Sequence, residues 1–141
     1  MLLPENGSVV VIDEKIEEAL PIIKALSKAG IPSTFYYGIV KDELPQTPTQ
    51  VVRLVFLDLQ LVDGVVDEHQ IATSLINVLK KIISEDNGPY ILVIWSKNYE
   101  KYGEKVEEEV KKINHKIVPA CIVKFDKRDC LDEKKIELTD S

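Results

Sequence analysis

The sequence predicts an α/β domain in which a parallel β-sheet is covered by helices on both faces. Two observations lead to this prediction: short apolar runs alternate with segments of helical periodicity, and the runs are nearly continuous rather than interrupted by polar residues. Continuous apolar runs are typical of strands buried on both faces. The length of 141 residues fits one such domain.

Five segments have the composition of buried strands. The first, residues 8–12, is rich in β-branched side chains and ends at the acidic pair Asp13-Glu14. The third, residues 51–59, contains the start of RLVFLDLQL, in which Asp58 interrupts an apolar run. The other predicted strands are residues 33–37, 90–95 and 117–125.

Three segments between the strands have helical periodicity. Residues 68–84 have the clearest apolar stripe, residues 99–113 have a thinner one, and the stripe of residues 14–27 contains Pro21. A proline inside a helix costs about 3 kcal/mol, so we expect either a kink or a helix whose regular part starts late. Residues 38–50 carry two prolines and predict a loop with at most a short helix.

These elements suit the flavodoxin-like strand order 2-1-3-4-5, a three-layer sandwich with a reduced second helix and a fifth helix that is short or absent. We expect the domain to span residues 1–128. Residues 129–141 are expected to form a polar tail or the start of a truncated fifth helix.

Composition restricts the classes of function. The net charge of −6 argues against binding to a nucleic-acid backbone. We find neither the pattern of a signal peptide nor an apolar run of the roughly 18 residues that a membrane span needs. Cys121 and Cys130 lack metal-ligand spacing and are typical of free thiols in a reducing compartment. We therefore expect a cytoplasmic domain with no nucleic-acid or membrane partner.

Polar residues stand at or near the ends of four predicted strands, and in this strand order these ends lie at one edge of the sheet. They are Asp13-Glu14, Asp58, Ser96-Lys97, and Lys124 or Lys127. Carboxylates that meet at one edge repel each other and favour a cation, and their hard oxygen atoms suit Mg²⁺. The same residues also have plain structural readings, because acids are favourable at helix N-termini and serine is a common N-cap.

Four motifs, in the order in which they occur in a known family, carry a resemblance to that family. VVVIDE, VFLDLQL, ILVIWS and a lysine after the fifth strand resemble the receiver domain of two-component response regulators. The stretches GIPSTFYYG, RLVFLDLQL and GPYILVIWSK are similar to a divergent receiver-like family that is sometimes attached to effector domains in bacterial defence loci. The resemblance covers nearly the whole chain.

The resemblance implies a regulatory domain rather than an enzyme, with at most self-catalysed phosphotransfer. Asp58 would be the phosphoacceptor, and Asp13, Glu14, Asp58 and the backbone carbonyl of Gln60 would hold Mg²⁺. Ser96 and a lysine, Lys127 or alternatively Lys124, would contact the phosphoryl group. A histidine kinase or phosphotransfer protein would donate the phosphoryl group, an attached or separate effector would receive the signal, and a homodimer is possible.

Departures from the family pattern keep a second hypothesis open. Asp58 is followed by the acidic stretch LQLVDGVVDEH instead of a short turn ending in Met-Pro, and Cys121 or Lys124 replaces the usual switch aromatic of the fifth strand. Trp95 and Lys97 flank Ser96 where smaller residues are usual. The alternative is a phosphorylation-independent pseudo-receiver that acts as an interaction or dimerisation module. A flavodoxin-like hydrolase is less favoured, because no catalytic histidine or cysteine arrangement and no phosphate loop is visible.

Overall fold

The computed structural model of the chain describes residues 8–37, 44–48, 51–58, 68–96 and 99–126. All strands of its five-stranded sheet are parallel, in the order β2-β1-β3-β4-β5, so the predicted fold class and strand order are confirmed. The strands are β1 Ser8–Asp13, β2 Ser33–Tyr37, β3 Val52–Asp58, β4 Ile91–Ser96 and β5 Cys121–Asp126. The helices are α1 Ile16–Lys28, α2 Glu68–Ile82 and α3 Tyr99–Lys111.

Successive strand residues point to opposite faces of the sheet, and each face has its own apolar cluster. One cluster joins Val9, Val11, Leu54, Phe56, Val93 and Trp95 to buried residues of α1. The other joins Val10, Ile12, Val55, Leu57, Leu92 and Ile94 to buried residues of α2 and α3. We call these two sides the α1 face and the α2–α3 face.

Helix α1 begins at Ile16 and has Pro21 in its interior, so of the two alternatives expected at this proline, a kink or a late start, the late start is wrong. Proline cannot donate the backbone hydrogen bond that a helix interior normally has at that position. Pro21 is buried together with Ala19, Ile22 and Leu26. Burial of this apolar face against the sheet therefore offsets the lost hydrogen bond.

The fifth strand begins at Cys121, four residues later than the start predicted at residue 117. Ile117 lies instead in a turn whose backbone N–H groups, those of Ile117 and Val118, donate to the carbonyl of Asn114. The hydroxyl of Tyr90 donates to the carbonyl of Ile117 across 2.5 Å, and the burial of this phenol raises its pKa. The first part of the apolar run at residues 117–125 is therefore a buried turn, and only the later part is a strand.

The amino end of β3 contains an irregularity that sets the register of the sheet. Ser8 of β1 pairs with Val52, but Val9 pairs with Leu54, so Arg53 is an extra residue in β3. The apolar clusters record this bulge, because Val52 belongs to the α2–α3 face and Leu54 to the α1 face. Val51, just before the strand, has a φ of 52°, which is unusual for a β-branched residue.

The buried side chain of Asn87 holds this irregular start of β3. Its Oδ1 accepts a hydrogen bond from the N–H of Val52 at 2.7 Å, and its Nδ2 donates to the carbonyl of Val52 at 2.9 Å. The guanidinium of Arg53 donates in turn to the carbonyls of Asn87 at 2.7 Å and Pro89 at 3.0 Å. The turn that leads into β4 is thereby fastened to the start of β3.

Candidate functional site

The carboxylates of Asp13 and Asp58 are neighbours at the carboxyl edge of the sheet. The register of β1 and β3 pairs Ile12 with Leu57, and the two aspartates are the next residues of each strand. Alternation along the strands places Asp13 on the face of Val11, and Asp58 on the face of Phe56, which is the α1 face for both. The structure therefore brings these two predicted site residues together.

Both carboxylates are buried. The exposed fraction is 0% for Asp13 and 2% for Asp58, and the Oδ2 atoms of both are inaccessible to solvent. Two charged carboxylates side by side on adjacent strands repel each other, and burial weakens the screening of that repulsion by water. A bound cation would remove most of that repulsion.

Asp13 also has a local structural role. Its Oδ1 accepts a hydrogen bond from the backbone N–H of Lys15 at 2.9 Å, which turns the chain from β1 into α1. A negative charge at this position is also favourable for the N-terminus of α1. Asp13 therefore has a structural reason to stand at the end of β1, beside its place in the acidic pair.

Glu14 lies on the half-exposed bend after β1. Among the residues that the structure describes, no group of three or more acidic, histidine or cysteine side chains is placed to hold a metal ion. The expected cluster of three carboxylates is thus reduced to the pair Asp13 and Asp58. Such a pair still fits Mg²⁺, which commonly takes one or two protein carboxylates and fills its other positions with water and phosphate oxygen atoms.

Ser96 is the last residue of β4 and pairs with Asp126 of β5. Its backbone follows directly after Trp95, the register partner of Asp58, so Ser96 belongs to the same edge of the sheet. Gln60, Lys127 and residues 129–141 lie outside the described residues.

Lys124, the alternative candidate for the site lysine, is not brought to the acidic pair. It pairs with Ile94, and its Nζ lies 3.1 Å from Oε2 of Glu107 on α3. Alternation along β5 places it with Ile122 on the α2–α3 face, whereas both aspartates lie on the α1 face. Lys124 therefore contacts α3 in this structure, and Lys127 stays the preferred candidate from the sequence.

The contact with Lys124 instead defines the electrostatics of Glu107. Burial of this carboxyl raises its pKa, but hydrogen bonds from Lys124 and Lys111, together with their charges, lower it more, so the net pKa lies below the ordinary value. Lys111 contributes the i,i+4 pair at 3.2 Å. This cluster fastens α3 to β5.

Two aromatic residues flank the acidic pair, and neither of them was among the site residues expected from the sequence. Tyr37 is the register partner of Asp13, and Trp95 is the register partner of Asp58. Tyr37, Asp13, Asp58 and Trp95 therefore form one row across four adjacent strands. The signal in the sequence was the position of each aromatic at the end of its strand, but the register of the strands was needed to interpret it.

The fold and this row of residues define the class of the protein as a flavodoxin-like α/β domain with a buried acidic pair at the carboxyl edge of its sheet. Comparisons of the chain with protein-family models, with curated proteins and with solved structures found no match. Within the described residues, none of the helices is both long and apolar enough to span a bilayer.

Proposed function

We propose that the chain is a receiver-like signalling domain in which Asp58 accepts a phosphoryl group with the help of Mg²⁺. The observation that carries the proposal is the neighbouring pair of carboxylates, Asp13 and Asp58, on one face at the carboxyl edge of a parallel sheet. Folds of this kind place their sites outside the carboxyl ends of their strands.

The proposed reaction is a phosphoryl transfer to a carboxylate oxygen. An oxygen atom of Asp58 attacks the phosphorus atom of the donor, and a new P–O bond forms as the bond to the leaving group breaks. The leaving group takes the electron pair of the broken bond: the imidazole of a kinase phosphohistidine then takes up a proton, and acetyl phosphate releases acetate. Catalysis of such a step depends on positioning and on stabilisation of charge.

Other residues have supporting roles in this proposal. Asp13 and Asp58, with the backbone carbonyl of Gln60, would hold Mg²⁺, which would neutralise charge on the phosphoryl oxygen atoms. Ser96 would donate a hydrogen bond to one of these oxygen atoms, and Lys127 would neutralise another. The partners would be a histidine kinase or phosphotransfer protein and an effector in the cytoplasm, with a homodimer as a possible active form.

The burial of Asp58 favours a second candidate. A carboxylate with an exposed fraction of 2% is poorly accessible to a phosphodonor unless the edge of the sheet opens. A pseudo-receiver would keep the acidic pair only as part of its fold and would bind its partner without phosphorylation. The two candidates differ in whether Asp58 reacts.

The test is incubation of the protein with acetyl phosphate and Mg²⁺, followed by intact mass spectrometry, and titration with beryllofluoride followed by amide NMR. A receiver gains the mass of one phosphoryl group and shows shifts at Asp13, Asp58 and the end of β4. Asp58→Asn abolishes both responses. Asp86→Asn, the same change at an exposed turn on the opposite edge, serves as the matched control and keeps both.

Asp13→Asn tests the role of the metal separately. In this variant Asp58 stays in place, and the mass gain and the beryllofluoride shifts are expected to depend less on the Mg²⁺ concentration. If the wild-type protein shows no mass gain and no beryllofluoride shift at millimolar Mg²⁺, the phosphoacceptor proposal is wrong and the pseudo-receiver is the better description.

A further inference from the structure

Trp95, the single tryptophan of the chain, occupies a position that connects the candidate phosphoacceptor with the packed interior. It is the register partner of Asp58 on the neighbouring strand, and it belongs to the same α1 face. Side chains that are directly opposite on adjacent strands and on one face are nearest neighbours. The indole is therefore the large side chain that Asp58 meets on the β4 side.

The indole is also anchored within the α1 face. Its exposed fraction is 0%, and its ring meets the ring of Phe56 edge-to-face, with centroids 6.4 Å apart and an angle of 68° between the planes. The apolar cluster around it includes Ile22 and Leu26 of α1. A close-packed interior does not absorb a displaced indole locally, so movement of this ring would change the packing of its neighbours.

The α2–α3 face offers no comparable connection among the described residues of β4 and β5. Ile94, the neighbour of Trp95 along β4, packs into the other cluster. Lys124, the register partner of Ile94 on β5, donates a hydrogen bond to Glu107 of α3. Neither of these two residues shares a face with Asp58.

We propose that Trp95 is a positioning residue that transmits the phosphorylation state of Asp58 to the α1 face of the sheet. The inference rests on the proposed function, since it requires a change at Asp58. Phosphorylation adds bulk and negative charge beside a ring whose edge is electropositive and whose face is electronegative. The preferred orientation of the indole therefore changes, and the α1 cluster repacks in response.

The experiment compares the wild-type protein with Trp95→Phe and Asp58→Asn, each titrated with Mg²⁺ alone and then with beryllofluoride. Indole fluorescence reports on Trp95 directly, because the chain has no other tryptophan. Amide and methyl NMR shifts report separately on Val11 and Leu26 of the α1 face and on Leu75 and Val106 of the α2–α3 face.

The wild-type protein is expected to show a fluorescence change and methyl shifts that are larger on the α1 face. Trp95→Phe is expected to keep the shift at Asp13, which reports binding, and to lose the shifts at Leu26. Ile94→Val is the matched control, because it trims the adjacent β4 residue on the α2–α3 face and should leave the α1 response unchanged.

A ring-fluorinated tryptophan at position 95 provides a second measurement without a substitution that could disturb folding. Its single fluorine resonance should move on addition of beryllofluoride in the wild-type protein and stay in place in Asp58→Asn. If beryllofluoride shifts the Asp13 amide but neither the fluorine resonance nor the α1 methyl groups, the role of Trp95 is refuted while the phosphoacceptor proposal stands. If nothing in the wild-type protein responds, both proposals fail.

Discussion

Removal of the Asn87 side chain should destabilise the protein more than removal of an exposed asparagine side chain does. Asn87→Ala deletes the acceptor of the Val52 N–H and a donor to the Val52 carbonyl. The exposed fraction of Val52 is 0%, so water cannot replace these bonds. An unsatisfied buried backbone group costs about 1–3 kcal/mol, and the carbonyl keeps a hydrogen bond from Arg53 at 3.1 Å. We therefore expect a loss of about 3 kcal/mol in the free energy of unfolding.

The assay is urea unfolding followed by far-ultraviolet circular dichroism, with thermal unfolding as a second readout. For a chain of this length, the loss corresponds to a decrease in Tm of about 10 °C. Asn87→Asp should be at least as damaging, because a carboxylate oxygen would replace the amide donor that faces the carbonyls of Val52 at 2.9 Å and Gly88 at 3.1 Å.

Asn114→Ala is the matched control. Asn114 is exposed, and its side chain accepts from Lys116 at 3.0 Å and donates to Glu85 at 3.3 Å. Its loss should cost less than about 1 kcal/mol. A loss for Asn87→Ala no larger than that for Asn114→Ala would refute the reasoning, because the bonds to Val52 would then contribute nothing beyond those of a surface amide.

Two further predictions concern backbone strain and charge. Val51→Gly should raise the urea midpoint by relieving about 1 kcal/mol of strain at a φ of 52°, whereas Val51→Ala should give no comparable gain, because alanine retains a Cβ. Glu107→Gln should be less stable than the wild-type protein at neutral pH. A carboxyl whose folded pKa is lowered contributes stability above its unfolded pKa and loses it as the pH falls through its folded pKa, so the two proteins should converge in acid. Urea midpoints across an acid pH series measure this, and Glu108→Gln, the exposed neighbour, should show no such convergence.

The strand order could be predicted from the sequence because it depends on local signals. Continuous apolar runs identify buried parallel strands, and few topologies accommodate five of them with intervening helices. The start of β5 was predicted wrongly because Ile117 is apolar for another reason. It is buried in a turn whose carbonyl accepts the hydroxyl of Tyr90, and a contact between residues so distant in the sequence leaves no periodic signal.

The candidate site was only partly predictable. The positions of Asp13 and Asp58 at strand ends indicated a common edge, and the structure places them side by side. The contact of Lys124 with Glu107 had no signal in the sequence, because it joins a strand to a helix 17 residues away and depends on how α3 packs on the sheet. That Trp95 is the direct neighbour of Asp58 could not be predicted either, because it depends on the register of β3 and β4.

The bulge at Arg53 explains why the acidic pair depends on the opposite edge of the sheet. If the pairing of Ser8 with Val52 continued without the extra residue, Asp13 would lie opposite Leu57, and Asp58 would lie one position beyond it on the other face. The extra residue brings the two carboxylates level and onto one face. Because Asn87 and Arg53 bind the backbone at this bulge, residues at the amino edge fix the geometry of carboxylates at the carboxyl edge. Asn87→Ala should therefore weaken the beryllofluoride response of Asp58 even under conditions in which the variant remains folded.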